Sequence, residues 1–168
     1  MKTANIAAFF QQVGPAVDET LGQILPPESD VPTKLHEAMR YSVFAGGKRL
    51  RPGLCVAGYS AFRSDWENVL PVAASLELVH TYSLIHDDLP AMDDDDFRRG
   101  IPSCHRQFGE AIAILAGDAL LTLAFETIAA CDRFSPEKLL PALRALAQAA
   151  GTPAGMIGGQ VLDLEAQF

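Results

Sequence analysis

His80-Thr81-Tyr82-Ser83-Leu84-Ile85-His86-Asp87-Asp88-Leu89-Pro90-Ala91-Met92-Asp93-Asp94-Asp95-Asp96-Phe97-Arg98-Arg99-Gly100 carries an apolar helical pattern straight into six carboxylates within ten residues, with two arginines behind them. Upstream, Val69, Val72, Ala73, Leu76, Val79 and Ser83 recur at three- and four-residue steps, so a helix is expected from Val69 to Asp88. On a straight helix Asp87 and Asp93 would stand about 120° apart and could not share a metal. Pro90 changes this, because its ring clashes with the carbonyl four residues earlier and it offers no N–H; the helix should end near Leu89 and let Asp93 swing back toward Asp87. So many acids repel one another unless a hard divalent cation takes them as oxygen ligands, and Mg²⁺ typically takes one or two carboxylates plus water and phosphate oxygens. Asp87 and Asp93 are the candidate metal ligands, with Asp88 behind them as a further acceptor. The arginine pair suits a phosphate polyanion bound through the same metal. The plain alternative is a solvated acidic loop.

Working back along the helix, His80 lies seven residues before Asp87, nearly the same angle and roughly 10 Å away. It should face the acidic end, although a lone histidine on an apolar helix is commonly a satisfied core residue. Further upstream, Gly46-Gly47-Lys48-Arg49-Leu50-Arg51-Pro52 reads as a loop that delivers three cations to a helix start, with Pro52 at its first position and Leu54 to Phe62 continuing it. A helix N-terminus already favours anions, so cations placed just before it make an anion site.

The remaining elements are helical by the same reading. Ile6, Phe9, Phe10, Val13, Val17, Leu21 and Ile24 mark a first helix, weakened by Gly14-Pro15 and ended by Pro26-Pro27. A second opens at Pro32, carries Leu35, Met39 and Val43, and stops at Gly46-Gly47. After the acidic stretch, one long apolar helix is expected from about Arg106 to Ala130. Ser135-Pro136-Glu137 caps another that runs to Gly151, and Thr152-Pro153 starts a last one with Met156, Gly159, Gln160, Asp163 and Leu164. No strand alternation and no internal repeat are evident. The expectation is an all-α fold of about seven helices, a single domain over residues 1–168.

Composition narrows the function. The 168 residues are 49% hydrophobic and 20% charged, which suits a packed globular chain. A net charge of −8 and a pI near 4.8 argue against nucleic-acid or anionic-membrane binding. Yet Lys48, Arg49, Arg51, Arg98 and Arg99 are five of the thirteen basic residues, so the positive charge is gathered where a small anion could meet it. Cys55, Cys104 and Cys131 have no metal-ligand spacing, and a reducing cytoplasmic setting is the expectation. The first residues show no secretory pattern. With Asp118 inside the most apolar stretch, Ile112 to Phe125, no membrane span is expected.

Taken together, these stretches resemble the short-chain trans-isoprenyl diphosphate synthases. The basic loop Gly46 to Pro52, the block from His80 through Asp93 to Arg98-Arg99-Gly100, and Gly155-Met156-Ile157-Gly158-Gly159-Gln160-Val161-Leu162-Asp163-Leu164 occur in that family's order along the chain. The resemblance implies an isoprenoid-synthase-type helical bundle and a Mg²⁺-dependent prenyltransferase that condenses isopentenyl diphosphate with an allylic diphosphate, dimethylallyl or geranyl. It implies that Asp87 and Asp93 hold Mg²⁺ on the allylic diphosphate, with Arg98 on the same group. Lys48, Arg51, His80 and Arg99 would bind isopentenyl diphosphate, and Gln160 and Asp163 match a helix across the cavity. Tyr82, with small Ser83 after it, matches the position that limits product length and implies a farnesyl-length product, geranyl and geranylgeranyl lengths being the alternatives. Family members are typically homodimers and longer than this sequence, which corresponds to their N-terminal part, before a second aspartate-rich motif. This stretch alone would therefore supply one wall of the metal site. Two other readings are a terpene cyclase, which the basic loop and His80 speak against, and a non-catalytic diphosphate-binding or partner subunit.

Overall fold

In a computed structural model, which describes residues 6–166, eight α-helices follow one another: α1 Ile6–Ile24, α2 Thr33–Val43, α3 Leu50–Ser60, α4 Leu70–Asp87, α5 Cys104–Phe108, α6 Glu110–Ala129, α7 Pro136–Ala150 and α8 Met156–Ala166. Met1 to Asn5, where the N-terminal stretch was read for an export signal, lie outside the described residues. The all-α expectation holds. A short 3₁₀ turn, Trp66–Val69, leads into α4, so that helix begins one residue later than its pattern suggested.

α4 is the centre of the bundle. Ala73, Ala74, Leu78, Val79, Tyr82 and Ile85 are all buried along it, and it packs chiefly on α6 while also touching α1, α2 and α3. α6 answers with Ala113, Ala116, Gly117, Leu120, Ala124 and Ile128. Small residues let the two helices approach closely: a Cβ on Gly117 would stand 2.2 Å from Nε2 of His86 on α4. Leu78 and Leu120 are fully buried, each contributing about 1.5–3 kcal/mol by loss of apolar surface to water. α1 continues through Pro15 because Val13, Val17 and Leu21 bury one uninterrupted face, offsetting the ~3 kcal/mol that a proline costs inside a helix.

Several boundaries differ from the sequence reading. α3 starts at Leu50, two residues before Pro52, which sits in the first turn where its missing N–H has no partner to lose. The long helix expected from Arg106 to Ala130 is broken at Gly109, whose φ of 89° separates the short α5 from α6. A two-stranded hairpin, β1 Phe97–Arg98 and β2 Ile101–Pro102, appears where no strand was expected, being too short to show any alternation. α8 begins at Met156 and not at Thr152-Pro153, because the chain at Gly155 lies against the carbonyls of Gln148, Ala149 and Gly151 at the end of α7. Ser135 precedes α7 in extended conformation, but its hydroxyl bonds no backbone N–H of the helix; its carbonyl accepts from Lys138 and Leu139.

The expectation that Asp118 rules out a run of membrane-spanning length also needs correction. By length and composition alone α6 could cross a bilayer, since its most apolar 18-residue window, which still contains Asp118 and Glu126, has a mean hydropathy of 1.8. Here α6 is the partner of α4 in the core, and the core helices of water-borne bundles meet the same test.

Candidate functional site

The acidic stretch folds back as Pro90 dictates. α4 ends at Asp87, the N–H of Leu89 bonds the carbonyl of His86 at 3.2 Å, and the N–H of Asp93 bonds the carbonyl of Asp87 at 2.8 Å. Asp94 follows with φ 53°, a left-handed conformation that Asp tolerates. The expected return of Asp93 to Asp87 is thus made by the main chain. The Asp87 carboxyl is pushed above the usual carboxylate range by partial burial and then by the charges of Asp93 and Asp88, with Arg98 and His86 pulling the other way. A divalent cation between such oxygens would relieve that repulsion, so these residues fit one. Among the described residues no three His, Cys, Asp or Glu side chains converge on a point.

Asp88 behaves differently from its neighbour. It is buried to 2% exposure, and both its carboxylate oxygens accept from Arg98, Nε donating at 3.0 and 3.2 Å and Nη2 adding a close contact. Arg98 Nη2 also reaches Asp95 at 3.3 Å. Arg98 is therefore fixed from behind by a bidentate fork while a third of its side chain stays open.

The hairpin sends the next arginine elsewhere. Arg98 pairs with Ile101 across the ladder, and Arg99 and Gly100 form the two-residue turn with φ of 53° and 85°, both positive as a type I′ turn requires. Arg99 leaves the acidic turn and lies over Gly47, where a Cβ would meet its guanidinium at 2.7 Å. Gly47 has φ 139°, so any side chain there would be strained as well as obstructed.

Gly47 belongs to the basic loop, which with α4 and Arg99 surrounds an open cavity of about 510 Å³ lined by Lys48, Arg49, Arg51, Glu77, His80 and Arg99 among others. All four residues expected to bind isopentenyl diphosphate, Lys48, Arg51, His80 and Arg99, are brought together here. Burial and then the nearby Arg51 hold His80 below the usual imidazole range, with Arg99 and Arg49 adding to the effect. Arg99 is likewise lowered, first by burial, with the other arginines opposing Glu77. The cavity therefore concentrates positive charge that has no counter-ion of equal size.

Two members of this cavity were not singled out from sequence. Arg49 was counted only as one cation of the loop, yet it is buried at 5% exposure and bonds Asp18 at 2.7 Å, Glu77 at 2.8 Å and the Val43 carbonyl at 2.9 Å. Glu77, buried at 2% exposure, carries no local motif; a charged residue on the buried stripe of a core helix was the signal available. Beside the cavity an apolar groove of about 600 Å³ is lined by Leu54, Cys55, Leu76, Val79, Leu146 and Met156, and it shares Arg51 and His80 with the basic cavity. An anion site opening onto hydrocarbon suits an amphiphile with a charged head.

The other candidates are placed as follows. Tyr82 is buried one turn before His86, with its ring edge-on to the imidazole at 5.4 Å. Burial, then the charges of Asp87 and Asp118, push its phenol above the usual range. Ser83 turns its hydroxyl back to the carbonyl of His80 at 2.9 Å. Gln160 and Asp163 lie on α8, which has no buried residue, and neither lines the basic cavity. Cys55, Cys104 and Cys131 are all free thiols.

Comparison with known proteins follows the same lines. Residues 32–168 match the family model described as polyprenyl synthetase. The chain is 52% identical to farnesyl diphosphate synthase of Bacillus subtilis over 98% of its own length and 56% of the relative's. To the large subunit 1 of heterodimeric geranylgeranyl pyrophosphate synthase of Arabidopsis thaliana it is 50% identical, over 81% of this chain and 37% of that one. A solved FPP/GFPP synthase of Zymomonas mobilis superposes with a TM-score of 0.92 at 45% identity, covering 97% of this chain and 59% of the other. The chain thus spans between about a third and three fifths of the length of these relatives.

Proposed function

Since the chain belongs to the polyprenyl synthetase family, we propose that the whole enzyme condenses isopentenyl diphosphate with an allylic diphosphate in a Mg²⁺-dependent reaction. The observation that carries this reading is the divergence of Arg98 and Arg99: one turn of chain serves an acidic site on one side and a basic cavity on the other. Two diphosphates need two such sites, and a cyclase would need one.

In this reading Asp87 and Asp93, with Asp88 behind them, hold Mg²⁺, and Arg98, fixed by Asp88, offers its open edge to the allylic diphosphate. Bound there, Mg²⁺ would supply Lewis-acid stabilisation of the charge that gathers on the departing diphosphate. Lys48, Arg51, Arg99 and His80 hold the headgroup of isopentenyl diphosphate, and the groove beyond Arg51 and His80 receives its hydrocarbon. The carbon–oxygen bond of the allylic diphosphate breaks to leave an allylic cation, the double bond attacks that cation, and a proton passes from the new chain to the departed diphosphate. The apolar walls exclude water, which would otherwise capture the allylic cation as an alcohol. Gln160 and Asp163, which line neither the basic cavity nor the groove, are assigned to the facing side of the reaction cavity on the resemblance alone. We assign a farnesyl-length product on the strength of Tyr82, and relatives named for farnesyl and for geranylgeranyl products both support the broader activity. Exposed apolar side chains such as Leu54, Leu140 and Leu162 support association into a homodimer, and three free thiols suit a cytoplasmic setting.

Thermal melting separates the two sites. Isopentenyl diphosphate at about a hundred times its Kd should stabilise the chain by ~2.7 kcal/mol, about 5–10 °C, with or without Mg²⁺. Dimethylallyl diphosphate should do so only when Mg²⁺ is present. An equal shift without the metal would remove Mg²⁺ from the acidic turn. In an enzyme of the relatives' full length carrying this stretch, chromatography of products should show chain elongation; cyclised products would overturn the assignment.

A further inference from the structure

Glu77 stands where an anion site should least tolerate it. It is a buried carboxylate on the wall of the cationic cavity, and by Coulomb's law it opposes any diphosphate that enters. Nor does fold stability explain it, because a buried ion pair is often no better than apolar residues of the same volume. Its contacts suggest a geometric role. Oε1 accepts from Arg49 Nη1 at 2.8 Å and lies 4.0 Å from Arg99 Nη2. Arg49, in a left-handed conformation with φ 48°, is held on its far side by Asp18 of α1 at 2.7 Å and by the Val43 carbonyl of α2 at 2.9 Å. One guanidinium thus ties α1, α2 and α4 together at the start of α3.

The distances divide the labour. Arg49 takes the short bond and neutralises Glu77, while Arg99 stands one step further out with its side chain 22% exposed and its guanidinium against Gly47. Arg99 has a left-handed backbone and enters from a two-residue turn, so its own strand does little to aim the side chain. Counting Lys48, Arg49, Arg51 and Arg99 against Asp18 and Glu77, four cations face two carboxylates and leave a formal charge of +2 for the ligand.

Resting on the reading of this cavity as the isopentenyl diphosphate headgroup site, we propose that Glu77 is a positioning residue that, with Arg49 and Asp18 behind it, aims the Arg99 guanidinium at the bound diphosphate. The sign of one measurement tests this. Glu77→Gln keeps the size of the side chain and removes the charge, so charge alone predicts tighter anion binding, whereas lost aim predicts weaker binding.

Calorimetric titration of the chain with isopentenyl diphosphate and with inorganic diphosphate, in Mg²⁺-free buffer, should show Glu77→Gln weakening both by about tenfold. In an Arg99→Gln background the same change should matter less than about twofold, because the residue through which Glu77 acts is gone. If Glu77→Gln melts too low to titrate, Asp18→Asn, made on the half-open α1 side, loosens Arg49 from behind and should weaken binding about threefold, again only while Arg99 is present. Unchanged or tighter binding in these variants, or equal losses with and without Arg99, overturns the proposal and leaves the cavity's assignment standing. Failure of the unaltered chain to bind either diphosphate would overturn that assignment and the proposal together.

Discussion

Asp87 and Asp88 are adjacent acids in different surroundings, and replacing each by alanine should separate stability from the proposed metal response. Asp88 is 2% exposed and accepts a bidentate fork, so Asp88→Ala strands the Arg98 guanidinium beside an apolar gap. Removing one partner of a fully buried ion pair costs about 3–5 kcal/mol. Arg98 retains 32% exposure and a second acceptor in Asp95 at 3.3 Å, so water and that carboxylate recover part of the loss and about 2–3 kcal/mol remains. For a domain of this size that lowers Tm by about 4–12 °C.

Asp87→Ala should do the reverse. Its carboxyl titrates above the usual range, which means that the folded state holds the proton more tightly than the unfolded chain does. The ionised group therefore weakens the fold as pH rises through the unfolded value and on past the raised folded one. Removing it at pH 7 should leave Tm unchanged or slightly higher. The same change should abolish stabilisation by Mg²⁺ with dimethylallyl diphosphate, which Asp88→Ala should reduce only through Arg98. Circular-dichroism melts of the three proteins with and without these ligands decide it. Equal Tm losses in the two variants would refute the division of roles.

Two further outcomes follow from α4. Burial and the surrounding arginines hold His80 below the usual imidazole value, so its share of stability is present above about pH 6.5 and is lost as pH falls through the folded value. A bound diphosphate places negative charge in that cavity and should raise the His80 pKa, seen as a shifted imidazole titration by NMR and as proton uptake on binding; an unmoved titration would place the anion elsewhere. Tyr82→Ala, in an enzyme of full length, should open the wall between α4 and α6 and lengthen the prenyl products. An unchanged product distribution at retained activity would show that Tyr82 is a core aromatic and no floor.

What could be read from sequence was whatever local covalent structure decides. Pro90 forces the end of α4 and the return of Asp93, and Gly46-Gly47, shortly after α2 ends at Val43, opens the basic loop in positive-φ backbone, so both sites were legible in outline. The partition of the charges was not legible. Asp87 and Asp88 are neighbours of the same type, and only the position of α4 in the bundle decides that one is half open and the other buried. Arg49 looks like Lys48 and Arg51, but Asp18, thirty-one residues earlier, and Glu77, twenty-eight later, draw it into the core. The hairpin escaped notice because its strands are two residues long and its turn is Arg-Gly, which lacks the Asn-Gly or Asp-Gly signature.

The hairpin also explains how the two proposed ligand sites can rest on so short a segment. Glu77 on α4 and Asp88, the residue that caps it, lie eleven residues apart, within about 20° of the same face and about 16 Å apart along the axis. The Cα atoms of Arg98 and Arg99 are only about 3.8 Å apart. Two neighbouring side chains reach acids so widely separated only if they diverge, and the ladder residue Arg98 and turn residue Arg99 do diverge, one toward each end of that interval. The spacing between the acidic turn and the basic cavity is therefore set by the rigid rise of a buried helix, and the loop between them has only to point each arginine at its acid. In the proposed reaction such a helix would hold the two diphosphate headgroups at a fixed separation, so that their hydrocarbon parts meet in one geometry.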